Sequence, residues 1–328
     1  MALALHSCGH AGAPGELNLA SNALPPGVVW IDTIAPSPEE IAFIERATGL
    51  RVPKVDELSE IETSSRLRTE NGVLYLSTPA VFRRDEQPDA TPIGFVLSKN
   101  YLITVRFEPL RAFESFAAGL KIDNDVHSSS SGVFAGLLEA MVDRMADVLE
   151  QVGADLDAVS HRVFHMKNTK GSRPAREEES LRETLRGLGR SGDLVSKIRD
   201  SLMGLSRIVP YTLGRSAQWM PDEVKAELET LRLDVLSLND YDAHLSSKIQ
   251  FLLDATLGLI NIEQNNIIKV LTVVTVIGVP PTLIASWYGM NFKNVPEYDW
   301  SFGYPYVIVL ALLSAILPLV WFRVKGWF

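Results

Sequence analysis

Two uncharged stretches near the C-terminus limit what this chain can fold into more than any other feature. Residues 270–292, VLTVVTVIGVPPTLIASWYGMNF, hold no charge between Lys269 and Lys293, and residues 300–322 hold none between Asp299 and Arg323. A helix needs about 20 apolar residues, at about 1.5 Å rise each, to cross a hydrocarbon core. Both stretches reach that length, so the chain is expected to end in a membrane hairpin, with the lipid bilayer as its first partner. Lys269 precedes the first span, and Arg323 and Lys325 follow the second; the short connection sets Lys293 against Glu297 and Asp299. The positive-inside rule then puts both ends in the cytoplasm and the connection outside, as in a bacterial-type inner (plasma) membrane. Trp287, Tyr288, Trp300, Tyr304 and Tyr306 would form the outer aromatic belt, and Trp321, Phe322 and Trp327 the inner one.

The formal net charge of the 328 residues is −9. From Ile267 onward four basic residues face two acidic ones, which leaves −11 on the part before it. An acidic domain disfavours nucleic acid, whose binding rests on phosphate neutralisation, and is compatible with cations. Cys8 is the one cysteine, so no disulfide can form within the chain. His6, Cys8 and His10 lie close in sequence, but an unordered leader explains them better than a metal site. MALALHSC is too short and too polar for a secretory signal, so the soluble part is expected to stay where it is made. No Gly-rich phosphate loop or nucleophile motif is present, and an enzyme is not expected.

The pattern before the spans predicts an α/β N-terminal cytoplasmic domain followed by long α-helices. Residues 1–27 read as a flexible leader and 28–127 as the α/β domain. Val28-Val29-Trp30-Ile31-Asp32 reads as a buried strand. Ser37, Pro38 and Gly49 suit the cap, first turn and stop of a helix. Residues 55–61 read as a short helix, 72–82 as a strand, 92–98 and 101–107 as a hairpin around Lys99-Asn100, and 108–119 as a helix. Residues 128–220 carry apolar side chains three or four apart and read as long antiparallel helices, with Pro210 and then Trp219-Met220-Pro221 marking the end of the second. From Pro221, Val224, Leu228, Leu231, Val235, Leu238, Leu245, Ile249, Leu252 and Leu259 form a heptad stripe with polar breaks at Asp242 and Thr256. Residues 221–291 are read as one stalk helix continuing into the first span at about 268–291. A loop at 292–302, a second span at 303–323 and a basic tail at 324–328 complete the chain.

Along the first span, Asn265, Ile268, Leu271 or Thr272, Thr275, Val279 and Thr282 share one helical face. That face is polar at its cytoplasmic end, apolar next, and hydroxyl-bearing beyond. One helix cannot enclose a pore, so conduction would require several copies; alternatively, the threonines bond only their own backbone. Pro280-Pro281 removes two backbone donors and should bend or loosen the helix.

Tyr288-Gly289-Met290-Asn291-Phe292 closes the first of the two spans. Asn261-Ile262-Glu263-Gln264-Asn265, Pro280-Pro281-Thr282, Pro296-Glu297, Trp300 and Gly303-Tyr304-Pro305 surround it. Over roughly residues 250–328 this resembles the CorA family of magnesium transporters. The resemblance implies a funnel-shaped homo-oligomer, in that family a pentamer, whose first spans line a channel for Mg²⁺, with Co²⁺ and Ni²⁺ as further cargo, driven by membrane potential. Gly289, Met290 and Asn291 would form the selectivity filter. Asn265, Ile268, Leu271, Thr272, Thr275, Val279 and Thr282 would line the pore, with Ile268 and Leu271 as hydrophobic rings. Glu297 and Asp299 would attract cations to the mouth. Val295 and Tyr298 depart from the usual loop pattern of the family, and Lys293 adds a positive charge there.

The resemblance also implies regulation by intracellular Mg²⁺ held between acids of neighbouring subunits. Glu60 matches one such position locally, with Asp56 and Glu57 beside it. Thr230 falls at the other, flanked by Glu229 and Asp234. Two alternatives stand beside this reading. A zinc transporter of the same superfamily would favour His and Cys ligands, yet all six His and Cys8 precede the spans. A membrane-anchored scaffold would need the heptads and spans but not the filter.

Overall fold

The computed structural model describes residues 3–7, 24–60, 62–84, 87–120, 128–165, 174–291 and 296–326. The chain divides into two units, Met1–Lys167 with Thr184–Leu253, and Asn168–Glu183 with Asp254–Phe328.

The first unit is built on a six-stranded sheet: β1 (Leu3–Ser7), β2 (Val28–Ile34), β3 (Leu67–Glu70), β4 (Val73–Arg84), β5 (Gln87–Leu97) and β6 (Leu102–Arg106). Their order is β1-β2-β6-β5-β4-β3, and β2 and β6 run parallel while the other neighbours are antiparallel. Alternation along each strand sends Trp30, Phe95 and Leu102 to one core and Ile31, Val96 and Ile103 to the other. Helix α1 (Pro38–Thr48) supplies Phe43 and Ile44 to the second core, and α2 (Val55–Leu58) supplies Leu58. Helix α1 starts as its residues dictate: Ser37 and Glu40 cap each other's backbone N–H groups, Pro38 opens the first turn, and Gly49 ends it at φ 70°. A short helical turn, α3 (Thr63–Arg66), precedes β3.

One buried ion pair staples the parallel strands. Arg106 donates to Asp32 through Nη2 at 2.7 Å and Nε at 3.1 Å, and both side chains are nearly inaccessible. Thr104 donates its hydroxyl to Asp32 at 2.7 Å, and Trp30 Nε1 donates to Thr104 at 3.0 Å. The carboxylate thus has partners on both oxygens, which a buried charge requires.

Four expectations are corrected here. The first residues are not all a loose leader: Leu3–Ser7 pairs antiparallel with β2, and His6 stacks on Trp30 at 4.2 Å. Cys8 and His10 lie outside the described residues. Asn71 and Gly72 (φ 51° and 80°) form the two-residue turn of a β3–β4 hairpin rather than the start of a strand. Strand β5 begins at Gln87, not Pro92. Pro92 sits opposite Pro79, and neither lacks a needed donor: β3 stops pairing with β4 at Leu76, and β6 pairs with β5 only from Gly94. Pro210 does not end its helix, which runs on to Ser216; Pro210 is exposed, so water can satisfy the carbonyl that its missing N–H frees.

The first core continues into helices. Helix α4 (Arg111–Leu120) contributes Phe113, and α5 (Ser130–His165) contributes Phe134, Leu138, Leu149 and Leu156. Helix α6 (Pro174–Ser216) adds Val195, Ile198, Leu202 and Leu205. Helix α7 (Asp222–Tyr288) adds Leu228, Val235, Leu245 and Leu252. Asp242 lies on the same α7 stripe and is buried. Arg199 of α6 donates to its Oδ2 at 2.7 Å and to Ser246 Oγ at 2.6 Å, while Asp242 Oδ1 has no partner among the described residues.

In the second unit, α7 continues without interruption through Pro280 and Pro281 to Tyr288. A 3₁₀ turn at Pro296–Asp299 leads to α8 (Gly303–Val324). Only 6% of the most apolar window of each helix is buried, so both spans present bare apolar surface that lipid or further copies must cover.

Burial raises the pKa of the Asp242 carboxyl, and Arg199 offsets this only in part. A raised native pKa means the folded state holds the proton better than the unfolded one. The stability penalty is therefore absent below the ordinary Asp pKa and fully present above the raised one. Asp242→Leu should fill the stripe and leave Arg199, which is 42% exposed, to water and Ser246. Thermal unfolding is expected to show the variant about 1–2 kcal/mol more stable at pH 7. That advantage should shrink as pH falls toward 4, and a less stable variant at neutral pH would refute the account.

Candidate functional site

The candidate pore residues sit on a helix whose two sides differ. The three-and-four spacing of the heptad stripe does not stop at Leu259. It recurs at Val273, Ile277, Pro280 and Ile284, and these are buried or half-buried in the single chain. On the opposite side lie Asn265, Ile268, Leu271, Thr275, Val279 and Thr282, all exposed. Ile268, Leu271 and Val279 are 60%, 65% and 55% accessible. Thr272 is half-buried at the edge of this face. On α8, Val307, Ala311, Ser314, Pro318 and Phe322 form the matching less-exposed stripe at the same spacing. Each span therefore has one covered face, and α7 leaves its mixed polar and apolar face open.

The threonines have a specific polarity. The hydroxyls of Thr272, Thr275 and Thr282 donate at 2.8 Å to the carbonyls of Ile268, Leu271 and Gly278. A hydroxyl has one hydrogen. With it committed to the backbone, only lone pairs remain, and the face offers acceptors without charge. Pro280 and Pro281 cannot donate to the carbonyls one turn earlier, so those of Val276 and Ile277 lose their usual helical partners. They add further acceptor capacity close to the same level.

At the C-terminal end of α7, Gly289 N–H still bonds to Ala285 at 2.9 Å, and Met290 N–H reaches Trp287 at 3.4 Å. Asn291 lies beyond the last helical turn and is exposed. The helix thus ends at Tyr288 and hands the chain over at Gly289-Met290-Asn291. Phe292, Lys293 and Val295 fall outside the described residues. Glu297 and Asp299 lie in the 3₁₀ turn, with Asp299 exposed. Gly303 is required beside them, because a Cβ there would fall 2.3 Å from the Glu297 carbonyl oxygen.

The acids singled out for regulation are dispersed. Glu57 of α2 is held by Arg51 and Arg68. Asp56 and Glu60 are exposed. Leu58 holds α2 against β5, where its Cδ2 would lie 2.7 Å from a Cβ added at Gly94. Glu229 of α7 pairs with Arg232 at 2.7 Å, which lowers its pKa. Asp234 lines a cavity of about 150 Å³ with Glu139, Glu227 and Thr230. Burial, then the charges of Asp147 and Asp234, raise the pKa of Asp143 on α5. Among the described residues, no three acidic, His or Cys side chains lie together as a metal site. The crowding around Asp143 went unrecognised in the sequence, because its members come from two helices far apart in the chain.

Residues 26–324 match the family described as CorA-like Mg²⁺ transporter protein. The chain is 32% identical over 300 residues to the magnesium transport protein CorA of Haemophilus influenzae, covering 91% of this chain and 92% of that one. Its fold is similar to the complete CorA magnesium transporter from Methanocaldococcus jannaschii, with a TM-score of 0.71, 20% identity and 91% of each chain covered. It is more distantly similar to the ZntB cytoplasmic domain from Vibrio parahaemolyticus, with a TM-score of 0.53 and 12% identity over 73% of this chain and 90% of that one.

The open face of α7 can be checked with single cysteines, since replacing Cys8 removes the one native thiol. In membranes, Thr275→Cys and Thr282→Cys should react with a charged, water-soluble thiol reagent, whereas Val273→Cys and Ile284→Cys should not. Failure of Thr275→Cys and Thr282→Cys to react would show that the open face meets no water.

Proposed function

Because the chain belongs to the CorA-like Mg²⁺ transporter family, we propose that several copies, five by analogy with the family, surround a pore lined by the open face of α7. Mg²⁺ enters at Gly289-Met290-Asn291 as a hydrated ion. The observation that carries this reading is an uncharged face whose threonine hydroxyls offer only acceptors, on a span that ends in an exposed Asn. Mg²⁺ gives up its waters reluctantly and is usually bound with several in place. Their hydrogens point outward from the ion. The Asn291 amide oxygen and the lone pairs of Thr275 and Thr282 accept them without stripping the shell. Carboxylates would hold the ion more tightly and slow its release; the segment from 270 to 292 has none.

Glu297 and Asp299 raise the local cation concentration at the mouth. Ile268 and Leu271 form the narrow apolar level that closes by dewetting. A membrane potential of about 100 mV supplies about 4.6 kcal/mol per divalent ion, twice the single-charge figure. Co²⁺ and Ni²⁺ pass by the same outer-sphere contacts. Intracellular Mg²⁺ bridging acids such as Glu60, Asp56, Glu57, Glu229 or Asp234 between neighbours keeps the pore shut. Its loss lets the acidic domains repel and the closed state give way. Both termini lie in the cytoplasm, and the protein transports without catalysing a reaction.

Divalent-ion uptake by the purified protein in lipid vesicles tests this reading. Mg²⁺ uptake should rise as internal Mg²⁺ is lowered, and Asn291→Ala should abolish it while leaving the oligomer intact. Zinc flux with negligible Mg²⁺ flux would overturn the assignment. Replacing Leu271 with Asn should hydrate the apolar level and sustain uptake at internal Mg²⁺ that silences the parent. Unchanged inhibition would place the gate elsewhere.

A further inference from the structure

A second cavity lies in the first unit, away from α7. It encloses about 390 Å³ between β4, the start of α4, and helices α5 and α6. Its interior is apolar: Phe113, Met141, Met145 and Ile198 are buried there. Its polar lining is of one dominant sign. Arg83, Arg111 and Arg144 are exposed at its edge, with Glu114 the single acid. Among the described residues, Arg83 and Arg111 have no ion-pair partner, and Arg144 keeps only a 3.9 Å contact to Asp147. Ser201, the remaining polar group, is already bonded to the Lys197 carbonyl at 3.3 Å.

This arrangement is unusual in a chain of net charge −9. Exposed arginines ring an opening whose walls offer almost no hydrogen-bonding groups. A nucleotide would need partners for its sugar hydroxyls and base edges, and the walls lack them. A single hydrocarbon chain needs none. Two methionines in the walls suit a flexible chain, because the thioether side chain adapts to irregular shapes. The volume falls within the range of ligand pockets. A carboxylate at the edge would meet guanidinium groups, which bind that group through paired N–H donors.

We propose that this cavity binds a medium-chain fatty carboxylate, its tail among Phe113, Met141 and Met145 and its head on Arg83 and Arg111. The site shares no residue with the pore face, so it stands or falls independently of the transport reading.

The test uses the full chain in lipid nanodiscs with a diazirine-bearing decanoate and the matching neutral decanol. After irradiation, peptide mapping should place the carboxylate label on α4 and α5 around Phe113, Met141 and Met145. The neutral probe should label these peptides about tenfold less, and a doubly reversed variant, Arg83→Glu with Arg111→Glu, should lose about as much, the value of one charge-assisted contact. Ala112→Trp, at a half-buried position on the lining, should block labelling while leaving the melting temperature near that of the parent. Equal labelling by both probes, labelling confined to the spans, or labelling indifferent to charge reversal would overturn the proposal.

Discussion

Hydrocarbon accepts neither an unpaired backbone group nor an unsatisfied charge, and the architecture of this chain follows from that constraint. It makes both C-terminal segments helical and keeps them free of charge. It also explains where polarity survives. The threonine hydroxyls on α7 are tolerated because each is bonded to its own helix. The proline pair frees two carbonyls, which neighbouring helices or water must satisfy. A residue that costs little when bonded inward still has lone pairs to present outward, so the rule that keeps this face neutral also leaves it rich in hydrogen-bond acceptors.

The soluble unit meets a different constraint. Its sheet carries a core on each face, so the interior strands β2 and β6 are buried throughout or nearly so. Such strands carry little amphipathic pattern, and polar specificity comes from one satisfied pair, Asp32 with Arg106. The helical layer does the reverse. Its stripe is apolar except at Asp242 and Thr256, both buried. Asp242 is only half satisfied, a weaker arrangement than the pair in the sheet.

Much of this was legible in the sequence where a local cause decides the local structure. Ser37, Pro38, Glu40 and Gly49 announce α1 because caps act over four residues. The spans were legible because no other use of so long an uncharged stretch is common. Gly289-Met290-Asn291 stood out by its position at the end of one of them. The misses have physical causes too. Prolines hid the first half of β5 and the end of α6, since the harm a proline does depends on whether a neighbour wanted its N–H, and neighbours are a tertiary fact. Asn71-Gly72 was a readable turn signal, but the strand was read as starting at Gly72 itself. Strand β1 forms because β2 offers an open edge to it, and no pattern within five residues reveals that. The cavity beside Arg83 and Arg111 arises from four elements, and its residues carry no shared spacing.

The heptad spacing that runs along α7 gives that helix a definite phase. Each residue turns the helix by about 100°, whereas seven residues return it nearly to the same heading. Within the second unit, the covered positions Leu259 and Val273 lie two heptads apart. A single residue added between them would swing Thr275, Thr282 and Asn291 roughly a quarter-turn away from their present side, while seven added together would leave them facing as they do. Evolution can thus lengthen this segment only by insertions that restore the heading, such as seven or eleven residues.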